Sequence, residues 1–131
     1  MPKILALDIG DRKIGLAIAD TDAPIPLPKG VISSDNRDEK INRIREIIDR
    51  EDIQILVVGM PYNLKGEIAH QAEKVMTFIK HLKKQITIKI ETIDERLTSK
   101  IAGGGDDDES AAQLILETWI QINLKNYGNS K

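Results

Sequence analysis

The sequence predicts an α/β fold built on a mixed five-stranded sheet, with helices packed against it. Three observations carry this reading. Two apolar runs, Ile4–Ile9 and Ile14–Ala19, flank a short polar turn with a glycine, the pattern of a β-hairpin. Ile53–Met60 is a continuous apolar run rich in branched residues, which suits a strand buried on both faces. Stretches of helical periodicity separate the later strands, so those strands join through right-handed crossovers and lie parallel. The first three strands are therefore antiparallel, and the last two are parallel to the first.

Taken in order, residues 3–9 and 14–20 form the hairpin. Residues 21–30 hold Pro24, Pro26 and Pro28, and alternate prolines forbid helix, so an extended loop is predicted. Val31–Ser33 continues as a short third strand. Residues 36–51 read as a helix through Ile41, Ile44, Ile47 and Ile48, with Ser34 or Asp35 as its cap. The buried strand Ile53–Met60 follows, then a loop over Pro61–Gly66 at its C-terminal end. A second helix is predicted over 67–84, with Ile68, Ala72, Val75, Ile79 and Leu82 on one stripe. Ile86, Ile88 and Ile90 alternate with polar residues and predict a half-buried strand over 86–91. A last helix runs from about Asp108 to Asn126, packing through Ala111, Ala112, Ile115, Leu116 and Trp119.

Length and composition suit one domain, residues 1–131, with a core of Ile, Leu and Val, since aromatics make up only 3% of the chain. The absence of cysteine removes disulfides and thiolate chemistry and fits a reducing, cytoplasmic setting. No signal peptide or membrane span is expected. A net charge of −2 gives no global attraction to nucleic acid. Binding would need local cations such as Arg12, Lys13, Lys29, Lys65 or Arg96, each of which also reads as an ordinary solvated charge.

Asp8 is the anomaly of the first strand, an acid between Leu7 and Ile9 where a half-buried side chain is expected. Such a carboxylate is paired, hydrogen-bonded or bound to a cation. It reads either as a metal ligand beside a phosphate-accepting turn at Gly10, or as a strand-end acid bonded to its own turn. Strand order brings two further acidic places to the same end of the sheet, Asp94-Glu95 and the cluster Asp106–Glu109. Convergent carboxylates bind Mg²⁺ or Mn²⁺, hard ions that take oxygen ligands. Acids opening a helix also favour its dipole without any metal, and Asp94, Glu95 and Arg96 could form a local ion pair. His70 and His81 read as surface histidines, because a zinc site needs more nitrogen or sulfur ligands than this chain offers. No nucleophile elbow or P-loop is present.

Leu7-Asp8-Ile9-Gly10, Arg12-Lys13-Ile14-Gly15-Leu16-Ala17, Val57-Val58-Gly59-Met60-Pro61, Gln71-Ala72-Glu73 with Phe78, Asp94-Glu95-Arg96-Leu97-Thr98, and Asp108 with Ala111-Ala112 and Leu114-Ile115-Leu116 follow in order. With them the chain resembles the YqgF-type (RuvX) family, RNase H-like proteins described as candidate Holliday junction resolvases and as nucleases maturing the precursor of small-subunit ribosomal RNA. The resemblance covers nearly the whole chain. It implies an RNase H-like fold and a divalent-metal site of Asp8, Glu95 and Asp108, with Arg12, Lys13 and Arg96 on the nucleic-acid backbone. It further implies hydrolysis leaving a 5′-phosphate and a 3′-hydroxyl, on ribosomal RNA precursor or branched DNA. Ribosomal particles are possible partners, and monomer and homodimer both stay open.

Similar proteins carry a longer basic segment between the last two acids, where this chain has only residues 96–107. That linker, at about 3.3–3.6 Å per extended residue, still lets Asp108 return to Glu95. Asp108 is preferred to Asp106 and Asp107 because it stands one helical turn before Ala111-Ala112. Strand alternation sets a puzzle: Ile86, Ile88 and Ile90 share one face, and a regular strand sends Glu95 to the other. A non-catalytic nucleic-acid-binding module on the same fold is the alternative function. An actin-like or sugar-kinase ATPase lobe shares the Asp-x-Gly hairpin but requires a second lobe.

Overall fold

The computed structural model describes residues 2–62, 65, 68–98 and 108–124, with residues 108–110 described by main chain alone. Five strands form one sheet in the order β3-β2-β1-β4-β5. They are β1 (Lys3–Ile9), β2 (Lys13–Asp20), β3 (Leu27–Ser33), β4 (Ile53–Met60) and β5 (Lys89–Asp94). The helices are α1 (Arg37–Glu51), α2 (His70–Gln85), α3 (Glu95–Thr98) and α4 (Asp108–Asn123). β1–β2 and β2–β3 pair antiparallel, whereas β4 lies parallel to β1 and β5 parallel to β4. This is the predicted mixed sheet.

Strand alternation divides the core in two. Leu5, Leu7 and Ile9 of β1 pack with Ile41, Ile44 and Ile48 of α1 and with Ala72, Val75, Ile79 and Leu82 of α2. Ile4 and Ala6 face the opposite way, joining Val57, Ile93, Ala112, Ile115, Leu116 and Trp119 beneath α4. Asp8 has the parity of Ile4 and Ala6, so it belongs to the α4 face at the C-terminal end of β1.

Several boundaries differ from the sequence reading. The third strand begins at Leu27 rather than Val31, so the last four residues of the predicted proline loop are strand. Pro28 is tolerated there because β3 is an edge, and the ladder shifts register between Leu16 and Ala17. The α1 cap is Asn36, whose Oδ1 accepts from the Glu39 N–H at 2.9 Å. Ser34 instead donates to the Glu39 carboxylate at 2.6 Å. Helix α2 starts at His70, leaving Ile68 ahead of it and 51% exposed.

The last strand is β5 at 89–94, three residues later than the alternating isoleucines suggest. Ile86, Ile88 and Ile90 do pack against the α1/α2 core, but hydrogen bonding begins only where Lys89 meets Ile55 of β4. The short helix α3 has no counterpart in the sequence reading. Residues 99–107, and 63, 64, 66 and 67 of the loop after β4, lie outside the described residues. So do residues 125–131, where the last helix was expected to extend to Asn126. No helix among the described residues is long and apolar enough to cross a membrane.

Candidate metal centre and nucleic-acid interface

The site is built on β1, β4 and the turn after β5. Asp8 pairs across the sheet with Gly15 of β2. On its other side Leu7 pairs with Val58, which brings Gly59 of β4 alongside Asp8. The acid is thus flanked by two positions without side chains.

Glu95 lies over Gly59, one of these two positions. A β-carbon placed on Gly59 would lie 2.8 Å from Glu95 Oε2, 2.9 Å from Glu95 Cγ and 2.6 Å from Ile115 Cδ1. Only glycine lets both the carboxylate and α4 sit this close to β4. The Glu95 carboxyl is pushed up to about 7, first by burial, then by the negative charges of Asp8 and Asp94. Asp8 and Glu95 therefore share one electrostatic environment although far apart in sequence.

The parity puzzle resolves here. The α4 face carries Glu91, whose Oε1 accepts from Trp119 Nε1 at 2.8 Å, and Ile93, which lies in the α4 core. Glu95 has their parity and so emerges on the face of Asp8. The isoleucines mark the other face, and no twist is needed.

Asp94 goes the opposite way. Its carboxylate accepts from the Arg96 main-chain N–H at 2.9 Å and from Arg96 Nε at 3.0 Å, with a further short contact to Nη2. The Arg96 hydrogen bond is the first cause holding the Asp94 carboxyl below its ordinary range. These bonds fasten the first turn of α3, and Thr98 Oγ1 donates to the Glu95 carbonyl at 2.7 Å. The Arg96 guanidinium also lies 5.8 Å from the Tyr62 ring centre.

Of the other cations expected in sequence, Arg12 and Lys13 lie near the same end, whereas Lys29 pairs with Glu51 at 2.7 Å beside the start of β1, at the opposite end. Arg12 and Lys13 stand exposed beside the β1–β2 turn, which is closed by Gly10 N–H donating to the Lys13 carbonyl at 2.8 Å. Arg12 Nε pairs with exposed Asp35 at 2.8 Å. His70 is exposed and His81 half-buried on α2.

Helix α4 runs back along the sheet. Ile115 meets Gly59 near the end of β4, while Trp119 meets Glu91 earlier in β5. The start of α4 therefore projects beyond the strand ends that carry Asp8 and Glu95. Asp108 holds a position two turns before Ile115, on the same helical stripe. Its side chain, with those of Asp106, Asp107 and Glu109, lies outside the described residues. Among the described residues, no three acids or histidines cluster closely enough to hold an ion. The pair Asp8 and Glu95 offers only oxygen donors, and its like charges are relieved by a divalent cation, so the residues present fit such an ion.

A family model described as RuvX, Holliday junction resolvase, matches residues 2–122. The chain belongs to the RuvX family. Among its relatives is a protein of Maridesulfovibrio salexigens named "Putative pre-16S rRNA nuclease", 34% identical over 90% of this chain and 97% of that one. A Desulforudis audaxviator protein of the same name is 37% identical over 90% of this chain and 93% of its own length. In fold, this RuvX chain is similar to Thermus thermophilus RuvC, solved in complex with a Holliday junction substrate. The TM-score is 0.64 at 11% identity, covering 95% of this chain and 96% of that one. The fowlpox virus Holliday junction resolvase is similar at a TM-score of 0.51 and 14% identity, covering 93% and 99%. These two likenesses show the RNase H-like architecture shared by RuvX and RuvC.

Proposed function

We propose that this RuvX chain is a divalent-metal-dependent endonuclease that matures the 5′ end of the small-subunit ribosomal RNA precursor or resolves branched DNA. The observation that carries the reading is the meeting of Asp8 and Glu95 over Gly59, with Glu95 raised to about 7. Membership of a family described as a Holliday junction resolvase, and relatives named for pre-16S rRNA, support the substrate class.

In this reading Asp8, Glu95 and Asp108 hold Mg²⁺ or Mn²⁺. Such ions, when bound, polarise a phosphodiester and lower the pKa of water, by the chemistry general to two-metal sites. Asp8 is carried by the rigid central strand, so its oxygens keep their place through the reaction. Glu95, whose carboxyl is raised to about 7, would be held as the carboxylate by a bound cation. Arg12, Lys13 and Arg96 hold the phosphates, and the products are a 5′-phosphate and a 3′-hydroxyl. The setting is cytoplasmic, and residues 1–131 act as one domain.

The test is a cleavage assay with purified protein. It offers ribosomal RNA precursor 5′ ends and four-way DNA junctions side by side, with and without Mn²⁺. Cleavage that requires Mn²⁺ and vanishes in a folded Asp8→Asn variant is expected. Wild-type cleavage by Asp8→Asn would overturn the assignment, and a saturable nucleic-acid affinity without cleavage would favour a binding module.

A further inference from the structure

A groove of about 380 Å³ opens on the α2 side of the sheet, at the same strand ends as Asp8 and Glu95. Met60 and Tyr62, where β4 leaves the sheet, form its floor with Ile68, and Met76, Lys80 and Lys83 of α2 form its wall. Two of these apolar residues are conspicuously open, Ile68 at 51% and Met76 at 45% exposure. Met76, Lys80 and Lys83 recur at helical spacing, so one face of α2 presents an apolar side chain followed by two ammonium groups. Among the described residues lining this groove there is no acid.

We propose that this groove is a subsite for an unpaired nucleotide of the substrate strand, its base against Tyr62 and Met76 and its phosphates on Lys80 and Lys83. This inference rests on the reading of the chain as a nuclease. An aromatic platform beside paired cations is the usual composition of a single-strand site, because every base has a face to stack and every linkage a charge to neutralise.

Continuity with the metal centre supports the assignment. Asp94 and Glu95 are neighbours that point to opposite faces, and Arg96, held by Asp94, lies over the Tyr62 ring that borders the groove. A strand cut beside Glu95 would meet Arg96, paired with Asp94 at the end of β5, before it reaches the groove. A hydrophobic peptide would use the apolar floor but gives no role to the two lysines.

The experiment measures binding by fluorescence anisotropy in EDTA, so that cleavage does not enter. The probes are a labelled oligouridine and a blunt duplex RNA of the same length. Wild type is expected to prefer the single strand. Lys80→Gln with Lys83→Gln lowers the slope of log affinity against log salt for the single strand by about 1.4. Met76→Asp weakens single-strand binding about tenfold and leaves duplex binding unchanged. An oligouridine carrying one 2-aminopurine loses fluorescence on wild type and keeps it on Tyr62→Leu. The altered lysines and Met76 are exposed, so these variants fold. Unchanged affinity and salt slope in the variants, or equal losses on duplex and single strand, overturn the subsite. A protein that cleaves yet fails these tests loses the subsite alone, and one that passes them without cleaving loses the nuclease reading alone.

Discussion

Glu95 lies in the space that a side chain on Gly59 would occupy, its Oε2 2.8 Å from the point where a β-carbon would stand. The relationship couples three elements. β4 supplies the gap, the turn after β5 supplies the acid, and Ile115 of α4 closes over both. The position of Glu95 beside Asp8 therefore depends on an atom that β4 lacks.

Gly59→Ala is expected to separate Glu95 from Asp8. The new methyl would sit 2.6 Å from Ile115 Cδ1 and under 3 Å from Glu95, and the isoleucine is buried in the α4 core. Overpacking of this kind costs about 1–3 kcal/mol. Denaturant unfolding should show that loss, and a Mn²⁺ titration should show weakened binding in the folded fraction. A variant with both unchanged would remove Gly59 from the account of the site.

The Glu95 carboxyl makes the metal-free protein sensitive to pH. Its value rises from 4.5 to about 7 on folding. Within that window the folded chain holds a proton that the unfolded chain has released, so stability falls as pH rises through it. Glu95→Gln mimics the protonated group. In EDTA the variant should match wild type near pH 4.5 and exceed it by about 1–2 kcal/mol near pH 8, allowing for partial solvent screening. Equal stability at the upper pH would show that burial and the charges of Asp8 and Asp94 do not raise the Glu95 carboxyl.

Trp119 and Glu91 tie α4 to β5 by a hydrogen bond of 2.8 Å. That bond is the first cause lowering the Glu91 carboxyl below its ordinary 4.5. Its stabilisation is therefore present above that pH and fades as pH falls through the lowered value. Trp119→Phe should cost about 1–2 kcal/mol at neutral pH by urea unfolding, because Glu91 keeps Lys89 as a partner. The gap to wild type should narrow in acid. A constant difference across pH would mean that packing alone accounts for Trp119.

Much of this architecture can be read along the chain because local pattern and tertiary role agree. Asp8 interrupts an apolar strand, and the strand does sit at the centre of the sheet. Ile53–Met60 reads as buried on both faces, and β4 lies between β1 and β5. Where the reading slipped, long-range pairing decided. Ile86 and Ile88 alternate like a strand and pack on the core, yet the ladder starts at Lys89 because that is where β4 offers a partner.

Pro28 suggests a loop, but an edge strand needs no donor on its outer side, so the strand extends through it. Of the three acids named by resemblance, Asp8 and Glu95 lie close enough for the charge of one to raise the other, and the Asp108 side chain lies outside the described residues. The need for a glycine at position 59 beside Asp8 was not legible. That need comes from Glu95 and Ile115, which only the fold brings to β4.

The central claim is that Asp8 and Glu95 act together on one divalent ion. A calorimetric titration of Mn²⁺ into wild type, Asp8→Asn and Glu95→Gln tests it most directly. Saturable binding in wild type, lost in both variants while their thermal unfolding stays cooperative, is the expected result. Equal Mn²⁺ affinity in all three proteins would contradict it.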